Sequence, residues 1–204
     1  MIEATIKNVE LSLETDSTVF SPSSIDRGTL AMLSQVDFTE RDKVLDLGCG
    51  YGGVGLTAAK TIGEGNVIMC DISEDAVRLS RKNAHLNGLT SMDIRQSNAF
   101  EKVPERNFTL ILSNPPYHTD FSVAKSFIEG GFCHLALGGK MLMVTKRLDW
   151  YKNKMTAVFG GVKVREIDGY YVFIAEKRQT VPHNKKKDKP KTGLSKKLQR
   201  KQKK

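Results

Sequence analysis

The sequence predicts an α/β chain built on a doubly wound, mostly parallel seven-stranded sheet. A C-terminal antiparallel hairpin closes it and a small N-terminal β extension precedes it. Three observations carry this. Short apolar runs alternate with helix-length segments between Lys43 and Phe159. Most of these runs have an apolar centre, as strands do when helices cover both faces of a parallel sheet. The last two runs, "VKVREI" and "YYVFIAE", are joined by Asp168-Gly169, the chemistry of a tight antiparallel turn.

Taken in order, "NVELSLET" alternates like a strand, and "STVFS" pairs with it in the expected N-terminal hairpin. "SIDRGTLAMLSQV" then reads as a helix leading into the sheet. "KVLDLG" (43–48) is a short strand, followed by a glycine-rich turn and a helix over 54–62. "NVIMCDI" (66–72) is the next strand. The segment 73–88 is an amphipathic surface helix with Ser73 as N-cap, acids in its first turn and Gly88 as its stop. Strands follow at 92–98 and 108–114, then a helix over about 121–137, a strand at 140–146 and a helix over about 148–159.

A chain of 204 residues supplies one domain with a substantial core and is short for two. It contains no apolar run long enough to span a membrane, and its start has no signal-peptide pattern. The three cysteines, Cys49, Cys70 and Cys133, are odd in number and contain no CxxC pair. They point to a reducing cytoplasm and away from disulfides or a metal centre. The net charge of +9 is unevenly placed. Residues 177–204 hold 13 basic side chains and one acid, whereas the rest holds 19 basic and 22 acidic. A mildly acidic body therefore carries a basic segment too poor in apolar residues to fold alone. The expected division is a β extension over 1–25, a main domain over 26–177 and a disordered basic tail over 178–204, with the tail attracting a polyanion through its charge.

Two stretches carry chemistry. In "VLDLGCGYGGVG", Gly48, Gly50 and Gly52 recur at every second position, and Gly55 opens the next helix. Such a loop lets backbone N–H groups approach a ligand closely. Asp71 lies 21 positions beyond Gly50, the place of an acid that binds ribose hydroxyls. This much fits an adenosine-containing cofactor and does not separate a nicotinamide dinucleotide from S-adenosylmethionine. Asp46, inside the strand, can reach the cofactor's amino-acid portion or orient the loop.

The second stretch, "LILSNPPYH", separates them. A nicotinamide enzyme has no evident use for Asn114-Pro115-Pro116-Tyr117 after a buried strand, whereas transfer to an amino group does. An exocyclic amine on a base is a poor nucleophile because its lone pair is delocalised into the ring. Two acceptors on its hydrogens, the Asn114 side-chain oxygen and the Pro115 main-chain carbonyl, would turn that lone pair outward. The prolines fix φ and remove competing N–H donors. Tyr117 adds a flat face for base stacking, a contact worth about 1–3 kcal/mol. No dedicated strong base is required.

With these residues, the chain resembles the class I S-adenosylmethionine-dependent methyltransferases. Among them it is similar to the ribosomal RNA guanine-N2 enzymes and their compact small-methyltransferase relatives, all of Rossmann-like fold. The resemblance rests on "TDSTVFSPSSIDRGT" (15–29), "VLDLGCGYGGVGL" (44–56) and "SNPPYH" (113–118). It implies S-adenosylmethionine as cofactor and a guanine in RNA, ribosomal RNA foremost, as acceptor. It also implies that Asp46, Gly48, Gly50 and Gly52 line the cofactor, that Asp71 and Ile72 meet its ribose, and that Asn98, Ala99 and Phe100 flank its adenine. Gly28 and Thr29 would hold its carboxylate end and Phe20 would wall the site. Asn114, Pro115, Pro116 and Tyr117 would form the acceptor site. The larger family members carry an extra N-terminal domain with no counterpart in this sequence. A monomer or weak dimer is expected. The alternatives are methylation of a protein glutamine or another planar amine, and a ribosome-assembly module that keeps the fold without turnover.

Overall fold

A computed structural model describes residues 1–15, 25–116 and 121–183. Strands β1 (Ile2–Ile6) and β2 (Val9–Leu13) form an antiparallel hairpin. They are joined by Lys7-Asn8, both at positive φ (51° and 65°), as a two-residue primed turn requires. The hairpin expected at the N-terminus is thus present, but β2 pairs with the preceding segment. "STVFS" lies outside the described residues. Beyond the hairpin, helix α1 (Arg27–Leu33) precedes an alternating series: β3 (Val44–Leu47), α2 (Gly53–Ile62), β4 (Val67–Asp71), α3 (Glu74–Leu86), β5 (Asp93–Gln96) and β6 (Phe108–Ser113). The chain continues as α4 (Phe121–His134), β7 (Leu135–Thr145), α5 (Asp149–Phe159), β8 (Lys163–Ile167) and β9 (Tyr170–Glu176).

The seven main strands lie in the order β5-β4-β3-β6-β7-β9-β8. Pairing is parallel from β5 through β7, and β9 runs antiparallel to both β7 and β8. From β3 the chain winds outward to β5, then crosses back to β6. The strand order therefore reverses between β3 and β6, which opens a crevice at their C-terminal ends. The period-two alternation of strands divides the core. Val44, Leu110, Leu112, Leu142 and Val144 meet α1, α2 and α3, while Leu45, Leu47, Ile111, Met141 and Met143 meet α4 and α5. No helix among the described residues is long and apolar enough to cross a membrane.

Two features departed from the sequence expectation. The helix expected over 121–137 ends at His134, and β7 begins at once. "LAL" has helix-forming composition, but Leu135 pairs with Phe108 and an irregularity between Phe108 and Leu110 restores the register. Tertiary pairing outweighs local propensity here. Helix α3 also does more than cover a face. Asn87 exchanges hydrogen bonds with the Ser12 backbone N–H (3.0 Å) and carbonyl (2.8 Å). Asn83, fully buried, does the same with Glu14 at 2.7 and 2.9 Å. The Asn83 amide of α3 and the amide of Asn87, which caps its C-terminus, thus act as a strand for the edge of β2 and anchor the chain just before residues 16–24.

Candidate active site

The crevice is built first from the glycine loop. Gly48, Gly50 and Gly52 have φ of 78°, 57° and 103°, a region that side chains rarely adopt. These reversals let the Gly48 and Cys49 N–H groups donate to the Cys70 carbonyl at 2.8 and 3.0 Å, fastening the loop to β4. The Ser80 hydroxyl donates to the Gly50 carbonyl at 2.8 Å. Nothing lies within 4 Å of where a Gly50 Cβ would stand, so the loop leaves open space on that side. A cavity of about 370 Å³ opens there, bordered by Gly48, Gly50, Asp71, Asn98, Ala99 and Asn114. A wider groove of about 800 Å³ lies at the opposite, N-terminal ends of β6 and β7, near Leu110 and Lys140. It contains none of the residues of the crevice.

Asp71, at the end of β4, accepts from Gly50 N at 2.9 Å through one carboxylate oxygen and from Ser73 N at 2.9 Å through the other. Each oxygen keeps a lone pair for a diol. Asn98 donates its amide N–H to Glu101 at 2.8 Å. A carboxylate only accepts, so the Asn98 oxygen is left to receive a donor such as an adenine amine. Ala99 holds φ of 49°, and its carbonyl receives the Ser97 hydroxyl at 2.9 Å. This donor and acceptor set fits an adenosine: a carboxylate for the ribose, an amide oxygen for the exocyclic amine, and apolar Ile72 and Ala99 beside them.

Asp46 does not border the cavity. It is 2% exposed and accepts the Gly55 N–H at 2.8 Å, so it holds the first turn of α2 against β3. Burial, reinforced by the nearby Asp71 charge and opposed by the Gly55 hydrogen bond, raises its pKa to about 7. Of the two roles the sequence offered, orienting the loop is the one its contacts support. Burial also raises both buried thiols, Cys70 to about 12.

The acceptor side is assembled from three distant segments. Ser113, ending β6, donates its hydroxyl to the Leu47 carbonyl at 2.7 Å and locks β6 to β3. Asn114 then projects into the crevice, with Pro115 and Pro116 also on the cavity wall. Its amide nitrogen donates to Asp26 Oδ2 at 2.8 Å and lies 3.0 Å from Thr29 Oγ1. Asp26 is the N-cap of α1, accepting from Thr29 N at 2.9 Å. Its other oxygen lies 3.5 Å from the Tyr170 hydroxyl, from the start of β9. Because the carboxylate cannot donate, the Asn114 amide is oriented with nitrogen toward Asp26, and its oxygen has no partner among the described residues.

Several expected site residues lie away from the cavity wall. Gly28 and Thr29 do not line the cavity: Thr29 faces Asn114, and Gly28 is where the Tyr170 ring packs, 2.8 Å from a notional Cβ. Gly52 serves as N-cap of α2 and does not border the cavity. The Phe100 ring does not border the cavity; it stacks on His134, centroids 4.2 Å apart, filling the gap that Gly130 leaves. Phe20, Tyr117 and His118 lie outside the described residues. Sequence reasoning missed Asp26 and Tyr170. The signal for Asp26 was present, since an acid three residues before Thr29 at a helix start is N-cap chemistry. Nothing local marked Tyr170.

A crevice at the strand-order reversal, a strand-end acid suited to a diol and an Asn-Pro-Pro corner mark a Rossmann-like fold with room for an adenosine cofactor. The chain belongs to the methyltransferase small-domain family, whose model matches residues 10–174, within the class I S-adenosylmethionine-dependent methyltransferases. It is 32% identical over 178 residues to the uncharacterized protein YbxB of Bacillus subtilis, covering 84% of this chain and 89% of that one. It is 35% identical over 162 residues to ribosomal RNA small subunit methyltransferase C of Klebsiella pneumoniae, covering 78% of this chain and 46% of that protein. Among solved structures, the Thermus thermophilus 16S rRNA N2 G1207 methyltransferase RsmC, in complex with AdoMet and guanosine, superimposes with a TM-score of 0.79 at 27% identity. That match covers 87% of this chain and 50% of the other. The chain thus spans about half the length of the ribosomal RNA methyltransferases it matches.

Proposed function

We propose that this chain binds S-adenosylmethionine in the 370 Å³ cavity and methylates the exocyclic N2 amine of a guanine in RNA, with ribosomal RNA as the substrate class. The observation that carries the reading is the Asn114 amide. Its nitrogen is held by Asp26 and Thr29, so its oxygen is the group offered to an incoming amine.

The bound cofactor would supply a methyl group on a positively charged sulfur, an already activated donor. The chain's own residues bind and align. Asp71 would take the ribose hydroxyls and Asn98 the adenine amine. The Asn114 oxygen would accept one N–H of the guanine amine, and the Pro115 carbonyl is offered for the other. Drawing those hydrogens out of the ring plane would turn the nitrogen lone pair out of conjugation and toward the methyl group. The proton released from the nitrogen would pass to solvent. Alignment and electrostatic stabilisation of this kind account for most of the catalysis asked of such a site. Tyr117 would stack on the base, and a base inside a duplex would first have to leave its stack. The resemblance to RsmC, solved with guanosine, supports guanine as the acceptor. The basic segment 178–204 would tether the RNA backbone without reading sequence.

The test is incubation of the full chain with methyl-labelled cofactor and total RNA from cells lacking the gene, followed by nucleoside chromatography. Label in N2-methylguanosine is the expected result. Cofactor binding without any label in RNA would overturn the reading.

A further inference from the structure

At the C-terminal end of β7, next to the Asn114 corner, two exposed cations follow one another: Lys146 and Arg147. Ser113 is in register with Met143 across β6 and β7, so Asn114 and Lys146 leave neighbouring strands about two to three residues apart. At roughly 3.3 Å per residue, the two cations stand within about 10 Å of Asn114.

Both are held from beneath by aromatic rings. The Lys146 ammonium sits 4.9 Å from the Tyr170 ring centroid, on the tyrosine whose hydroxyl reaches Asp26. The Arg147 guanidinium sits 5.0 Å from the Phe121 ring. Phe121 in turn stacks on Trp150 at 4.2 Å with an interplanar angle of 14°. Arg147 N also lies 3.3 Å from Thr145 Oγ1, which fixes the turn between β7 and α5.

Three other arginines are held by oxygen acceptors instead of a ring. Arg95 is clamped between Asp93 and Glu105, Arg78 pairs with Asp75, and Arg81 donates to the Ile94 carbonyl. Among the described residues Arg147 forms no ion pair; its support is a ring. A ring engages the face of a guanidinium and leaves its N–H edge available, the edge that meets phosphate oxygens in a forked pair. Asp149, two residues on, is the one acid in this short loop and lies in the first turn of α5, where the helix dipole favours it.

We propose that Lys146 and Arg147 form a cationic lip that grips the phosphodiester backbone on either side of the nucleotide whose base enters the Asn114 site. The lip positions the RNA and reads no sequence. It is distinct from the basic segment 178–204, since it stands at the acceptor corner and is pre-organised by Tyr170, Phe121 and Trp150. The proposal rests on the RNA methyltransferase reading, but its test does not require turnover.

The full chain, with Lys146→Gln, Arg147→Gln and the double substitution, is titrated against a fluorescent single-stranded RNA oligonucleotide over a range of salt concentrations. The slope of log K against log salt is expected to fall by about 0.7 for each charge removed, with a several-fold affinity loss at moderate salt. Affinity for S-adenosylmethionine stays at its wild-type value. Arg147→Lys, which keeps the charge, is expected to keep the slope. A double variant with the wild-type slope overturns the lip, as does an Arg147→Lys variant as weak as Arg147→Gln, which would indicate a structural role. A wild-type chain with no affinity for RNA overturns it too. A wild-type chain that binds RNA yet transfers no methyl refutes the functional reading alone, and the slopes still decide the lip.

Discussion

Replacing Asp26 separates the acceptor half of the site from the cofactor half. In the proposed mechanism Asn114 works only with its oxygen outward, and the group that would enforce this is the Asp26 carboxylate, 2.8 Å from its nitrogen. Thr29 cannot do so alone, because its hydroxyl either donates or accepts. In Asp26→Ala the amide is free to turn over, presenting N–H where the guanine amine needs an acceptor. A hydrogen bond to a charged group is worth about 1.5–3 kcal/mol. If that difference appears in the transition state, the rate falls by about ten- to a hundred-fold, at 1.36 kcal/mol for each factor of ten. The cap of α1 is lost as well, costing about 1 kcal/mol of stability, so thermal unfolding must be followed alongside. The assay is single-turnover methyl transfer with cofactor and RNA saturating, paired with calorimetric titration of the cofactor. A ten-fold or greater rate loss with cofactor affinity within a few fold is expected. Asp26→Asn keeps the cap and can still offer an oxygen, so it should fall between. An Asp26→Ala rate within about three-fold of wild type, or a loss confined to cofactor affinity, would refute the reasoning.

The remaining predictions concern neighbouring groups. Gly28→Ala would place a methyl within 2.8 Å of both Asp26 Oδ2 and the Tyr170 ring, so it should lower stability by about 1–3 kcal/mol and slow methyl transfer, read by urea unfolding and the same turnover assay. Asp46 has a folded-state pKa raised to about 7, so its protonated form favours the fold. That stabilisation is complete below the ordinary carboxylate range and is lost as pH rises toward 7. Asp46→Asn, which can still accept from Gly55, should therefore gain stability over wild type at pH ~8, by at most about 4 kcal/mol, and little near pH ~4; equal gains at both would disprove the assignment. Cys49 and Cys70 are buried with raised pKa values while Cys133 is exposed. Iodoacetamide should label Cys133 alone in the native chain and all three thiols after denaturation, as mass spectrometry would report.

Much of this was legible in the sequence, for reasons that can be located. The alternating series from β3 to β9 was readable because strands buried on both faces are apolar along their length, and Asp168-Gly169 announces its own turn. That Gly48, Gly50 and Asp71 border one cavity was readable because glycine spacing, strand end and Asp71 lie within one βαβ stretch. The hairpin partner of β2 was misassigned because strand alternation does not say which neighbour pairs, and the anchoring amides Asn83 and Asn87 come from a helix nearly 70 residues away or more. The junction of α4 with β7 was misplaced because Leu-Ala-Leu favours a helix until Phe108 supplies a ladder. Thr29 was assigned to the cofactor because a sequence block names residues without telling which way they face.

The two halves of the site also differ in how far along the chain they reach. The cofactor cradle closes through contacts spanning about 30 residues or fewer: Gly50 to Asp71, Ser80 to Gly50, Cys70 to Ala99. The acceptor corner needs Asp26, Asn114 and Tyr170, with separations of 88 and 144 residues. A chain emerging from synthesis can therefore complete the cradle as a local unit well before β9 arrives to seat Tyr170 beside Asp26. On the proposed site assignments, donor binding would mature early and competence to modify an acceptor would wait for the last strand. By the same assignments, the choice of acceptor could be retuned by changes in α1 and β9, segments that border none of the cavity.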